Sequence, residues 1–163
     1  MAELCQTIAD ELRSINETQL IKVEPEGDPV GFWDAARMGQ VLSNLMGNAI
    51  QYSDSGSPVT VTISGKDPHT VTLNVHNFGS IIPVENQRAI FQSGMRGQVN
   101  DRGEHTHLGL GLIAKLIVEA HGGEIAVTSD EKMGTTFTVR LPRAELKEKT
   151  GEAAAFNAAL AEP

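Results

Sequence analysis

The apolar residues change period several times along the chain, and each change marks an element. Leu4, Ile8, Leu12 and Ile15 recur at helical spacing and predict a short helix over residues 1–16 with one apolar stripe. A free helix of that length is marginal in water, so the stripe must pack on something. QLIKVE (19–24) alternates as a strand does, and PEGDP after it reads as a turn. The apolar stretch VGFW then leads to Asp34, a residue suited to a helix N-cap. From 35 to about 52, Ala35, Met38, Val41, Leu42, Leu45, Met46, Ala49 and Ile50 follow a 3.6-residue period, which predicts the most regular helix of the chain. The SDSGSP cluster at 53–58 ends it.

Val59, Val61 and Ile63 alternate with polar residues, KDPH makes a turn, and Val71, Leu73 and Val75 alternate again. These two runs predict an antiparallel hairpin. Residues 76–107 have little periodicity apart from a short helical stretch near 84–91. The segment QSGMRGQVNDRGEHTHL (92–108) is long for a plain connection, which marks it as a functional or mobile loop. Leu112, Leu116, Ile117 and Ala120 predict a helix from about 110 to 120, capped by Gly122-Gly123. EIAVTS and TTFTVRLP follow as two strands joined through DEKMG. The tail from Arg143 is rich in Ala and Glu and is expected to fray. Strands that arrive as hairpins, with helices between the pairs, predict an α+β fold: a mixed or antiparallel sheet covered by helices on one face.

Composition narrows the function. The 163 residues are 40% hydrophobic, enough for a packed core, yet only 4% aromatic, so the core rests on aliphatic side chains. A formal net charge of −8 argues against nucleic acid, which asks for clustered Lys and Arg. The single cysteine, Cys5, has no partner for an internal disulfide or a thiolate metal site. The chain's acidic, polar start is unlike a signal peptide, and no apolar run reaches membrane-spanning length. These features predict a cytoplasmic domain with no membrane insertion of its own.

Four short segments carry candidate chemistry. NLMGNAIQY places Asn44 and Asn48 one turn apart on the same helix face. An amide carbonyl suits Mg²⁺, which takes oxygen ligands shared with phosphates, though two such residues also make an ordinary solvated face. HNFGSIIP (76–83) follows a strand; Gly79 permits close backbone approach, and Asn77 offers both an acceptor and a donor. LGLGL (108–112) opens a helix, where unobstructed backbone N–H groups favour a phosphate. GTTF (134–137) starts the last strand and, alone, reads as a turn and a strand.

In this order and spacing the four segments resemble the catalytic ATP-binding domain of bacterial sensor histidine kinases, within the wider family that includes gyrase, Hsp90 and MutL. The resemblance covers residues 19–142. NLMGNAIQY resembles the N box, HNFGSIIP the first glycine box, IFQSGMRG the F-box region, LGLGL the second glycine box, and GTTF the closing motif. It implies a two-layer α/β sandwich of Bergerat type, with ATP and Mg²⁺ as cofactors. It further implies that Asn48 is the Mg²⁺ ligand, Asn44 a phosphate- or metal-shell residue and Tyr52 a neighbour of the nucleotide. Asn77 and Gly79 would read the base, with Thr135 nearby. Residues 92–108 would form the ATP lid, with Arg96 and Arg102 on the phosphates, and Gly109, Leu110 and Gly111 would cradle the phosphates. The chain departs from the family pattern at three boxes. Asn77 replaces the adenine-reading Asp, so its hydrogen bond lacks charge assistance. Ile81 replaces a glycine, and Gly94 stands where a second F-box aromatic is common. Gln51 also replaces the usual N-box Lys.

The related ATPases carry a water-activating Glu where this chain has Asn44, and an amide cannot take that proton. Phosphoryl transfer is therefore favoured over hydrolysis. None of the five histidines fits a phospho-acceptor: His69 lies in a turn, His76 ends a strand, His105 and His107 lie in the lid, and His121 ends a helix. Surface or loop roles are expected for each. The resemblance implies that the acceptor sits on a separate dimerisation domain of the same protein, with a response regulator downstream. Residues 1–18 are then expected to be the remnant of a linker helix, 19–142 the catalytic domain and 143–163 a flexible tail. Two alternatives stay open: an interaction domain that keeps the fold with weak or no ATP binding, and a serine kinase of the anti-sigma type.

Overall fold

A computed structural model describes residues 1–92 and 109–143. Its elements follow the order α1 (Ala2–Ile15), β1 (Ile21–Gly27), α2 (Ala35–Gln51), β2 (Val59–Gly65), β3 (Thr70–Asn77), α3 (Val84–Gln87), a 3-10 turn (Ala89–Phe91), α4 (Gly109–Ala120), β4 (Glu124–Asp130) and β5 (Gly134–Pro142). The strands form one five-stranded sheet in the order β1-β2-β3-β5-β4, with β1 and β2 parallel and the other pairs antiparallel. α1 packs on α2 and β1, α2 on β2 and β3, and α4 on α2 and β4. The fold is α+β, a mixed and mostly antiparallel sheet in two layers with helices.

Alternation decides the faces. In β2 and β3, Val59, Val61, Ile63, Val71, Leu73 and Val75 are buried, while Thr60, Thr62, Ser64, Thr72 and Asn74 between them are half-buried. A period of two puts the first set on one face and the second on the other. The core consists of the inward set together with Met38, Val41, Leu42, Leu45, Met46 and Ala49 of α2 and Ala114, Ile117 and Val118 of α4. On the outward face, hydroxyl and amide groups satisfy one another, as where Thr138 Oγ1 donates to Asn74 Oδ1 at 2.8 Å.

Helix ends follow their capping chemistry. The Asp34 carboxylate accepts from Arg37 N at 3.0 Å, as an N-cap should. α4 closes with Gly123 N donating to Val118 O and Gly122 N to Glu119 O, both at 2.9 Å, with Gly122 at φ 71°. That is the glycine-capped ending expected from Gly122-Gly123.

The structure corrects the sequence reading in three places and shows where α1 packs. PEGDP is not simply a turn: β1 runs through Pro25 to Gly27, pairing with Ile63 to Gly65. Pro is tolerated there because β1 is an edge strand and the missing N–H interrupts no inner ladder. The helical stretch near 84–91 is split into α3 and the 3-10 turn. α1 is woven into the core, with Cys5 and Ala9 fully buried and Arg13 Nη2 donating to Ile21 O at 2.5 Å. Its apolar stripe thus has the packing partner that so short a helix requires. Arg143, taken as the start of a fraying tail, is pinned: its N donates to His69 O at 2.7 Å, and its Nη2 reaches Gly65 O at 2.7 Å and Asp28 O at 2.5 Å. Residues 144–163 lie outside the described set.

Candidate functional site

The inward face of the sheet turns polar at one end. Leu73, Val139 and Ile125 stand in register across β3, β5 and β4, and Val75, Phe137 and Val127 form the next row. The following row is Asn77, Thr135 and Ser129. Residues directly opposite in antiparallel strands share a face, so a polar row continues the apolar floor beneath the helices. Asn77 is 2% exposed, Thr135 4% and Ser129 8%. Burying three polar side chains is unfavourable unless each is satisfied.

Part of that satisfaction is internal. Ser129 Oγ and Thr135 Oγ1 are 2.6 Å apart, and Ile82 N donates to Ser129 Oγ at 2.9 Å. Gln87 Nε2 donates to Ile82 O at 3.0 Å and to Ser129 O at 2.9 Å. These bonds tie α3 and the exit of HNFGSIIP to β4. Ser129 and Gln87 are absent from the residue set read from sequence. For Ser129 the signal was present, since it follows Ile125 and Val127 on the inward phase of β4. Gln87 carries no such pattern.

The end of α2 and the HNFGSIIP loop are built against each other. Asp54 N donates to Phe78 O at 2.8 Å, Ser80 N to Tyr52 O at 3.1 Å, and Ser53 bridges to Gly79. Gly79 has φ 150°, and a Cβ there would lie 2.0 Å from Tyr52 O. No other residue fits this approach. Asn77 Nδ2 points to Tyr52 O at 3.4 Å, so Tyr52, Asn77, Gly79 and Thr135 meet at one end of the molecule. Ile81 brings no backbone strain, because no described non-glycine residue has positive φ.

Asn44 and Asn48 lie one turn apart on α2, both half-buried. The Nδ2 of Asn44 is buried and has no hydrogen-bond partner among the described residues. An orphaned donor in a native fold calls for a ligand, ion or water. Being a donor, it suits an anionic oxygen and not a metal. Among the described residues no three His, Cys, Asp or Glu come together to hold a metal. A Mg²⁺ ion here would rest on an amide oxygen and on phosphate oxygens, and Asn48 fits that donor type.

α4 packs on α2. At one end His121 Nε2 accepts from Asp34 N at 3.2 Å while its Nδ1 donates to Ile117 O at 2.7 Å. His121, expected in a surface or loop role, instead joins the end of α4 to the start of α2. The first turn of α4 lies at the opposite end of that helix from His121. Gly109 and Leu110 open that helix. Gly111 also has a packing reason, since a Cβ there would sit 2.5 Å from Ile90 O. Arg96, Arg102, His105 and His107, with the rest of the expected lid at 93–108, lie outside the described residues.

The apolar floor of the sheet thus ends in a buried polar row, and α2 carries an amide donor with no partner among the described residues. Residues 33–145 match the model of the histidine kinase-, DNA gyrase B- and HSP90-like ATPase family, and the chain belongs to that family. It is 37% identical over 142 residues to an adaptive-response sensory kinase SasA of Rippkaea orientalis, covering 85% of this chain and 36% of the relative. The SasA of Parasynechococcus marenigrum is 39% identical over 120 residues, 72% of this chain and 31% of the relative. The chain thus spans about a third of the length of these relatives. Among solved structures, the catalytic domain of histidine kinase ThkA in a nucleotide-free form superposes with a TM-score of 0.73 at 25% identity, over 86% of this chain and 92% of that one. No helix among the described residues is long and apolar enough to cross a membrane.

Proposed function

We propose that the chain is the ATP-binding catalytic domain of a sensor histidine kinase, which presents the γ-phosphate of Mg-ATP to a histidine on a separate acceptor domain. The observation that carries this reading is the pairing of the orphaned Asn44 donor with the polar row Asn77–Thr135–Ser129 at the same end of the fold. One offers a donor to phosphate oxygens, and the other offers hydrogen bonds to a base.

Mg-ATP, when bound, would supply the phosphoryl group and the charge neutralisation that its transfer needs. The residues of the chain position and neutralise. Asn48 would offer its amide carbonyl to the metal, and Asn44 Nδ2 would donate to a phosphate oxygen. Asn77 accepts from the exocyclic amine of the base. The backbone N–H groups from Gly109 to Gly111 would meet phosphate at the positive end of α4; Arg96 and Arg102, the phosphate contacts expected from the resemblance, lie outside the described residues. Tyr52 and Gly79 shape the wall between base and metal.

Kinase chemistry fits better than hydrolysis. The residue one turn before Asn48 is Asn44, whose amide holds no proton-accepting group at neutral pH. A carboxylate there would activate water; an amide only orients. The chain therefore relies on a partner imidazole as nucleophile, with a response regulator receiving the phosphoryl group afterwards and the site facing the cytoplasm.

The experiment supplies the acceptor. The chain is mixed with a separately produced acceptor domain and γ-labelled ATP. Label on the acceptor that is lost in acid and stable in base is the expected result. Acid-stable label would indicate serine chemistry, and no label despite bound ATP would leave only a binding module.

A further inference from the structure

The HNFGSIIP loop is anchored at both ends, by different elements. At its start, Asp54 N donates to Phe78 O and Ser80 N to Tyr52 O, which fasten it to the end of α2. At its exit, Ile82 N donates to Ser129 Oγ at 2.9 Å, and Ile82 O accepts from Gln87 Nε2 at 3.0 Å. The same Nε2 donates to Ser129 O at 2.9 Å. A side-chain amide nitrogen carries two hydrogens, and both are spent here. Only the nitrogen end of the amide can face two carbonyl oxygens, so the orientation of Gln87 is fixed by its partners.

Packing gives α3 little hold of its own. None of its four residues is buried, and Val84 is 78% exposed, so apolar burial does not seat it on the sheet. Its backbone bonds, from Asn86 N and Gln87 N to Pro83 O at 2.8 and 3.1 Å, close the turn without reaching β4. The Gln87 side chain does reach β4, at the residue that ends the polar row. One nitrogen therefore joins α3, the loop exit and the strand that carries Ser129.

We infer that Gln87 is a positioning residue of the nucleotide site: its two hydrogen bonds hold the exit of the glycine loop in fixed relation to β4, and ATP affinity depends on them. This rests on the reading that Asn77, Gly79 and Thr135 receive the nucleotide. Gln87 acts through Ile82 and Ser129, not by contact with the ligand.

A carboxylate at this position makes the role testable. Gln87→Glu keeps the size of the side chain but sets oxygens against two carbonyl oxygens. Ionised, it accepts where a donor is needed; protonated, it carries one O–H and can remake one of the two bonds. The surrounding carbonyl oxygens favour the protonated form, so this group should titrate above the usual glutamate range.

The test is calorimetric titration of the whole chain with Mg-ATP at about pH 7.5 and about pH 5, with folding followed by circular dichroism. Affinities are compared with the wild type at each pH, which removes the titration of the nucleotide itself. At the higher pH, Gln87→Glu should bind ATP about tenfold more weakly than the wild type, the scale of one hydrogen bond. At the lower pH that deficit should shrink at least about threefold. Gln87→Met keeps the length and has no donor, so its deficit should be similar at both. A glutamate variant with wild-type affinity, or with a deficit that ignores pH, overturns the role of Gln87 and leaves the nucleotide reading standing. A lowered unfolding midpoint with unchanged ATP affinity does the same, since it confines Gln87 to stability. Should the glutamate variant not fold at the higher pH, the methionine variant decides: a tenfold loss supports the role, and wild-type affinity overturns it. Failure of the wild type to bind ATP overturns both readings.

Discussion

At the scale of single residues, two positions carry predictions that do not depend on the ligand. Gly79 sits where a Cβ would collide with Tyr52 O at 2.0 Å, and the atom it meets is backbone, which cannot swing away. Gly79→Ala should cost about 3 kcal/mol through overpacking and an unfavourable φ, read as a lowered midpoint in urea unfolding. A variant as stable as the wild type would show that the junction between the two boxes is loose. Cys5 is buried at the α1–α2 contact, and burial pushes its thiol up to about 12. A thiol whose folded pKa lies above its unfolded value favours the folded state fully below the unfolded pKa. That contribution is lost as pH rises from about 9 towards 12, because only the unfolded chain then releases its proton readily. Below that window, alkylation of Cys5 should proceed only at the rate of unfolding; fast labelling of the native chain would contradict its burial.

At the scale of elements, the two helices that roof the site are tied together at the end away from it. His121 holds the Ile117 carbonyl of α4 and the Asp34 amide at the start of α2 in one neutral, Nδ1-protonated ring. Removing it leaves the Asp34 N–H without this partner. His121→Ala should destabilise the domain by about 1–2 kcal/mol, with hydrogen exchange fastest in the first turn of α2. His121→Gln can still offer an oxygen near the position of Nε2 and should recover part of the loss. Equal exchange in both variants would mean the ring bridges nothing of consequence. α2 has a local N-cap in Asp34, and its stripe from Met38 to Ala49 is buried in the core.

At the scale of the whole molecule, the regular parts of the fold were legible because their signals are local. The period of α2, the alternation of β2 and β3, the Asp34 cap and the Gly122 ending each depend on a few neighbouring residues. What sequence did not show depends on contacts between distant segments. β1 continues through Pro25 because an edge strand is indifferent to a missing N–H, and edge position is a property of the sheet. α1 belongs to the core because Cys5 and Ala9 meet α2, and a 14-residue helix gives no sign of its partner. The site divides in the same way. Asn44, Asn48, Asn77, Gly79 and Thr135 could be named from box motifs, and the described structure gathers Tyr52, Asn77, Gly79 and Thr135 around one junction. Ser129 could have been read from the inward phase of β4, whereas Gln87 on α3 became visible only through its bonds to Ile82 O and Ser129 O. Gly111 acquired a packing role against Ile90 that a motif alone does not reveal.

The central claim is that a Mg-bound triphosphate sits between the amide face of α2 and the first turn of α4. The most direct measurement is the Mg²⁺ dependence of ATP binding, followed by calorimetry in the wild type and in Asn48→Ala. The wild type should bind ATP, and Mg²⁺ should tighten that binding. The variant should keep its fold and lose at least about tenfold in affinity, roughly one charge-assisted contact's worth, with little remaining response to Mg²⁺. A wild type that ignores ATP, or a variant whose affinity and Mg²⁺ response match the wild type, would contradict the account.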